Sequence, residues 1–359
     1  MWQFYILLLV SLVIQHVKII GFGIEYQKKN QRALLFFFVV MTILVALRHE
    51  SVGTDTVNYT YYFEHFSQIN FSQIGEQSTE WGFILFNKVI SLFTQDPQVY
   101  FAVCAIFTSS LIYITYKRLN VDASLTVVLF VTMTTFVMMF SGIRQVVAIG
   151  IGFLGYEFTR NKKLIPYIIT VLVAVTVHTS AFMLIFMYPL YHVKITKKWL
   201  YIVIPVLIFI FIFNRQIFSL IDLILRQFAK YDTTITETGA YAMLIMFSAF
   251  TVFSFIIPDE SLLDNETIGL RNFLLLSVAL QMFAPLHTIA MRMNYYYIVF
   301  IPLLIPKIIE ARRKRWNQIA ILGRHIMVVF FLIYFFYNAY TSDNNLRVFP
   351  YHFFWENVV

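Results

Sequence analysis

Arg48, Arg144 and Arg292 stand where long apolar runs begin or end, Asp55 and Glu80 lie in the polar stretch between two such runs, and His178 interrupts another. These residue types do particular chemistry. A guanidinium presents a planar fork of donors to phosphate or carboxylate oxygens, while a carboxylate or an imidazole takes and returns a proton. Residues 48–80 also hold Glu50, Glu64 and Glu76 among Tyr59, Tyr61 and Tyr62. Carboxylates beside aromatics suit a sugar, whose hydroxyls need acceptors and whose apolar ring faces stack on aromatic rings. Gln145 follows Arg144, and Tyr295 and Tyr296 follow Arg292, so each of these arginines has further polar or aromatic groups at hand.

Each of these residues also has a plainer use. The arginines reach lipid headgroups or pair with a structural carboxylate. Asp55, in a Gly-Thr-Asp-Thr turn, caps a helix starting near Thr56 as readily as it serves as a base. Glu80 before Trp81 compensates a helix dipole, and His178 hydrogen-bonds to a neighbouring helix. In a chain with 22 tyrosines, Tyr59, Tyr295 and Tyr296 fit an interfacial belt as well as a sugar site.

The elements that must position these side chains follow from composition. A chain that is 59% hydrophobic and 13% charged, with mean hydropathy +0.72, carries more apolar side chain than one soluble core hides. The apolar residues fall into about a dozen runs, each near the length a helix needs to cross a bilayer. They are Phe4–Gly23, Leu34–Leu47, Gln98–Tyr116, Ala123–Phe140, Gln145–Phe158, Leu164–Val177, Thr179–Tyr191, Trp199–Phe213, Ala240–Ile257, Asn272–Thr288, Tyr295–Ile309 and His325–Tyr340. The runs are continuous rather than alternating, which excludes a β-barrel. The expected fold is an all-α polytopic membrane helix bundle, a single integral membrane domain over 1–359. It has an outer loop at 48–80 and a short interfacial or re-entrant helix at 81–93.

Charge sets the orientation. With the loop before the second run placed in the cytoplasm, 18 of the 27 lysines and arginines lie on that side and 8 on the other, as the positive-inside rule requires. Loops at Arg160–Lys163, Lys194–Lys198 and Arg312–Arg315 are then cytoplasmic, and Arg48, Arg144, His178 and Arg292 face outward. That parity needs the apolar stretch 164–191 to be two half-length helices broken at His178. The formal charge of +8 is therefore a topology signal, and no nucleic-acid partner is expected. With one cysteine, Cys104, and no zinc-like spacing around His49 and His65, neither a metal nor a cofactor is expected. Phosphate loops, dinucleotide fingerprints and nucleophile elbows are also absent from the sequence.

The stretch Arg48-His-Glu-Ser-Val-Gly53-Thr-Asp55-Thr-Val-Asn-Tyr59, followed by Glu80-Trp-Gly82-Phe, resembles the signature of the EpsG family, the Wzy-like bacterial polysaccharide polymerases. Gly142-Ile-Arg144-Gln145, His178-Thr-Ser180, Arg292 before a Tyr-rich helix and the terminal Phe349-Pro350-Tyr351 extend the resemblance over nearly the whole chain. It implies a GT-C-like glycosyltransferase that joins undecaprenyl-diphosphate-linked oligosaccharide repeat units at the outer face of the bacterial cytoplasmic membrane, making O antigen, capsule or exopolysaccharide. Membrane lipid, a flippase and a chain-length regulator are the implied partners. Such a transfer needs a cation for the departing diphosphate, which points to Arg144, Arg292 and Arg48, and a base for the acceptor hydroxyl, which leaves Asp55, Glu80 and His178 open. Two other functions compete. A flippase for the same lipid-linked oligosaccharide would place charges on a path reached from both faces, and a sugar-directed acyltransferase would need a cytoplasmic route for its acyl donor.

Overall fold

The computed structural model describes residues 2–14, 26–228, 241–312, 317–341 and 346–358. Lys18, Lys230, the basic residues Arg313, Lys314 and Arg315, and the later part of the first expected run lie outside the described residues. In hydrocarbon every backbone N–H and C=O must find its partner within the protein, which helices achieve inside one segment and closed barrels between strands. Among the described residues there are helices and two isolated bridge pairs, with no strand. The chain is an all-α polytopic membrane bundle.

The helices fall into two compact units. Unit one, Met1–Ile185 with Gly323–Val359, holds α1 (Trp2–Ile14), α2 (Tyr26–Ala46), α3 (Thr56–Gln68), α4 (Trp81–Ser91), α5 (Pro97–Leu119), α6 (Ala123–Thr132), α7 (Thr134–Ser141), α8 (Ile143–Arg160) and α9 (Leu164–Val177). Unit two, Phe186–Leu322, holds α10 (Met187–His192), α11 (Leu200–Ile212), α12 (Asn214–Phe228), α13 (Tyr241–Ile256), α14 (Asn265–Gln281), α15 (Thr288–Ile298) and α16 (Ile301–Glu310). The last helix, α17 (Asn317–Thr341), runs mostly in unit one. Among the described residues, α2, α5 and α17 are long and apolar enough to cross a membrane singly, and three bent pairs raise the number of spans to six. The pair α6 and α7 bends by 57° where Met133 takes an extended conformation. Just before it, the Thr132 hydroxyl donates to the carbonyl of Val128, a back-bond that favours such bends.

In unit one α2 packs on α5, α5 on α8, and α8 on α9. The α8–α9 hairpin carries Arg160, Lys162 and Lys163 at its turn, and its other end brings Arg144 and His178 together. The expected 48–80 loop contains α3 and a 3-10 turn, Phe71–Glu76. It is pinned by the C-terminal segment: the backbone N–H of His49 donates to His352 O (2.9 Å), Gly53 to Arg347 O (3.0 Å), Thr54 to Leu346 O (3.0 Å), and Phe354 donates to Leu47 O (2.9 Å). Gly53 has φ +93, and a Cβ there would stand 2.2 Å from the carbonyl oxygen of Phe140. Only glycine meets both conditions. Phe349 and Tyr351 then pack edge-on against Phe4, at 4.9 and 5.7 Å between ring centroids.

Unit two is threaded by polar bonds along α14. Arg271, which falls between the expected runs Ala240–Ile257 and Asn272–Thr288, is fully buried. It donates to Glu260 Oε1 at 2.8 Å and to Ile195 O at 2.6 Å, and lies 4.1 Å from the ring centre of Phe255. The reason is that Asp264 caps Thr267 N–H at 2.7 Å and starts the helix a turn and more before the expected Asn272. Asn272 itself donates to Leu190 O and Val193 O (2.8 and 2.6 Å), fastening α10 to α14. Helix α12 has no counterpart among the expected runs. Its Phe218 packs with Phe283, Leu286, Ile289 and Ala290, and Leu220 and Leu223 are exposed.

Candidate functional site

Glu80 is the hub of the site. It precedes the first turn of α4, and its two carboxylate oxygens face different partners. Oε2 accepts from Arg144 Nη1 at 2.8 Å. Oε1 accepts the Thr179 backbone N–H at 3.1 Å and its hydroxyl at 3.2 Å, and lies 3.1 Å from His178 Nδ1. Side-chain exposure is 14% for Glu80, 26% for Arg144 and 9% for His178, so water is largely excluded but a route in remains beside the arginine.

Helix ends put these groups in place. Arg144 is the second residue of α8, after the Gly142 bend. His178 ends α9 in an extended conformation, φ −152 and ψ 118, followed by a 3-10 stretch, Thr179–Phe186. That turn aims the Thr179 N–H at Glu80. Gly82 lets α4 come close: a Cβ at Gly82 would lie 2.2 Å from Thr176 Oγ1 and 2.8 Å from its backbone carbonyl carbon. Lys88 on the same helix reaches back to cap α3, donating to Phe66 O at 3.3 Å and to Ile69 O.

Aromatic residues of α3 and α4 wall the arginine. Its Cζ is 5.8 Å from the Tyr62 ring centre and 5.9 Å from that of Phe83. The hydroxyl of buried Tyr59 accepts the Arg144 backbone N–H at 3.3 Å. Arg144 Nε is buried with no hydrogen-bond partner. One Nη therefore serves Glu80, while Nε keeps a donor without an acceptor.

Burial pushes the Glu80 carboxyl up, but the His178 hydrogen bond, the Arg144 charge and the Thr179 N–H outweigh it and hold the group well below the usual carboxylate range. Glu80 is ionised at any physiological pH. If the proton shared with Glu80 sits on His178 Nδ1, the basic lone pair is on Nε2.

The other expected residues take different positions. Asp55 stands before the first turn of α3, as its capping reading requires, yet its side chain makes no capping hydrogen bond. Gln145 is buried within α8. Arg48 is buried in unit one and does not join the Glu80 ion pair. Arg292 lies on α15 in unit two, where Tyr295 and Tyr296 are buried. Thr179, which touches the hub, is new as a site residue beyond its place in the His178-Thr-Ser180 element, and Tyr62, one of the aromatics expected to suit a sugar, lies beside the arginine.

A family model, described as the EpsG family, matches residues 32–353. The match spans α2 to the C-terminal segment and includes every residue of the Glu80 cluster. No curated protein and no solved structure matches the chain.

Proposed function

The chain belongs to the EpsG family, and on that premise we propose that it is a polymerase. It joins undecaprenyl-diphosphate-linked oligosaccharide repeat units into a surface polysaccharide at the outer face of the bacterial cytoplasmic membrane. The observation that carries the proposal is one carboxylate, Glu80, bonded at the same time to an arginine with an unpartnered buried Nε and to a histidine. Arg144 receives the donor diphosphate through its fork and stabilises the charge that grows as the glycosidic phosphate bond breaks. His178 Nε2 takes the acceptor hydroxyl proton while that oxygen bonds to the anomeric carbon, and undecaprenyl diphosphate departs. Glu80 orients the imidazole and stabilises its cationic form, so its role is positioning. Tyr62 and Phe83 offer ring faces beside the arginine. Arg292, in unit two, is proposed as a substrate-binding residue on its own account. Gln145, Tyr59, Tyr295 and Tyr296 support these residues, and Asp55 remains a second candidate for the base.

The outward orientation rests on the α8–α9 hairpin. Arg160, Lys162 and Lys163 occupy its turn, and α8 (Ile143–Arg160) at about 1.5 Å per residue carries the chain roughly 24 Å from Arg160 to Arg144. With the basic turn in the cytoplasm, the cluster opens on the other side. The test is deletion of the gene followed by gel analysis of surface polysaccharide. Products of one repeat unit are expected, and full restoration needs the wild-type chain. Repeat units trapped inside the cell would mean a flippase and overturn the proposal.

A further inference from the structure

Helix α3 has two unlike sides. Tyr59, Phe63 and Phe66 are buried in unit one, while Val57, Asn58, Tyr61, Glu64 and Gln68 are exposed. Tyr61 is 61% exposed, which leaves most of an aromatic ring uncovered. An imidazole backs that ring: Tyr61 and His65 are parallel to within 4°, with centroids 5.8 Å apart. His65 is tied in turn, its Nε2 lying 3.4 Å from Oε1 of Gln77, the residue that follows the 3-10 turn. The tyrosine is therefore braced by one neighbour and open elsewhere.

The open ring continues the candidate site outward. Tyr61 and Tyr62 have ring centroids 6.2 Å apart, and Tyr62 lies 5.8 Å from the Arg144 guanidinium carbon. Starting at the arginine, one aromatic ring thus leads to the next along α3 and ends at an exposed surface. Asn58 and Glu64 stand three residues before and three after Tyr61 and are exposed as it is, and residues at that spacing are neighbours on a helix. An aromatic face flanked by an amide and a carboxylate supplies stacking, donors and acceptors together, which is what the ring faces and hydroxyls of a sugar require. A tyrosine of the interfacial belt needs no such neighbours, and Glu64 is ill suited to face hydrocarbon.

We infer that the exposed ring of Tyr61, braced by His65, is a glycan subsite for the lipid-linked donor, taking sugars that lie beyond the one attached to the diphosphate. The inference rests on the reading that Arg144 receives the donor diphosphate, because that fixes the end from which the glycan starts. The first sugar then meets Tyr62, and later sugars reach Tyr61 with their hydroxyls served by Asn58 and Glu64. Tyr61 is a binding residue: it raises affinity for an extended glycan and takes no part in the proton or phosphate chemistry.

The experiment uses the full-length protein in detergent and two probes, undecaprenyl diphosphate carrying one sugar and undecaprenyl diphosphate carrying a complete repeat unit. Tyr61→Leu keeps an apolar side chain for lipid but removes the ring. It should bind the repeat-unit probe about 2- to 10-fold more weakly than the wild-type protein, the range that one aromatic contact supplies. Its affinity for the one-sugar probe and its unfolding temperature should stay at wild-type values, and Tyr61→Phe should bind both probes as the wild type does. Wild-type affinity of Tyr61→Leu for the repeat-unit probe, or an equal loss for both probes, would overturn the subsite while the polymerase reading stands. Failure of the wild-type protein to bind either probe would overturn the diphosphate reading and the subsite with it.

Discussion

Replacing Glu80 by glutamine removes one charge and almost no volume, so it separates the carboxylate's chemistry from its packing. In the wild-type site one oxygen serves Arg144 and the other serves His178 and both Thr179 donors. A glutamine has one oxygen to divide between them. Turned toward His178 and Thr179, it points its NH2 group at the Arg144 donor 2.8 Å away; turned the other way, it confronts three donors. The first arrangement is cheaper and loses one charge-assisted hydrogen bond, about 1.5–3 kcal/mol, or about 10- to 100-fold in the population of the assembled site. The imidazolium formed during transfer loses its counter-charge as well. Base catalysis by a positioned side chain supplies about 10²–10⁴-fold, so turnover should fall at least about 10²-fold. The assay is polymer formation by purified protein from lipid-linked repeat units, expressed per folded molecule. Turnover within about threefold of wild type at normal abundance would refute the positioning role. So would a variant that unfolds more easily yet keeps its turnover per folded molecule, because Glu80 would then be a structural tie.

Three further outcomes are expected. Arg144→Lys keeps the charge and loses the fork, and should lower turnover on the order of 10²–10³-fold; near-normal polymer at normal abundance would sink the diphosphate assignment. Gly82→Ala places a methyl group against the Thr176 backbone, which must displace α4, lower stability by about 1–3 kcal/mol and detach Glu80 from Thr179; unchanged melting and activity would contradict the close approach. Because the Glu80 carboxyl is held below its ordinary value of 4.5, its contribution to stability is complete above about pH 5 and is lost as pH falls toward its folded-state value. The melting difference between wild type and Glu80→Gln should therefore shrink as pH falls below about 5, and a difference that grows below that pH would reverse the sign of the linkage.

The apolar runs and the basic turns make the class of fold legible, since both periodicity and charge asymmetry are local in sequence. The break at His178 is legible too, because a polar residue in the middle of 28 apolar-rich positions cannot be ignored when loop charges are counted. The pairing of Glu80 with Arg144 and His178 is not, because it joins residues 64 and 98 positions apart and depends on a glycine contact that has no hydropathy signal. Burial of Arg48 and Arg271 is hidden for a related reason. Counting a charged residue as a loop residue assumes water around it, whereas Glu260 and the Phe255 face surround Arg271, and Phe101 covers Arg48. Helix α12 escapes a search for continuous apolar runs because its apolar residues keep to one side.

The pinning of residues 47–54 by residues 346–354 bears on the order of biogenesis. Unit one takes its parts from both ends of the chain, with the whole of unit two inserted between them. During synthesis, unit two has all of its sequence before unit one does. The N–H groups of Gly53 and Thr54 meet their acceptors only once residues 346 and 347 have been made. A nascent chain stalled before Leu346 holds every residue of the Glu80 cluster and still lacks the segment that pins residues 47–54.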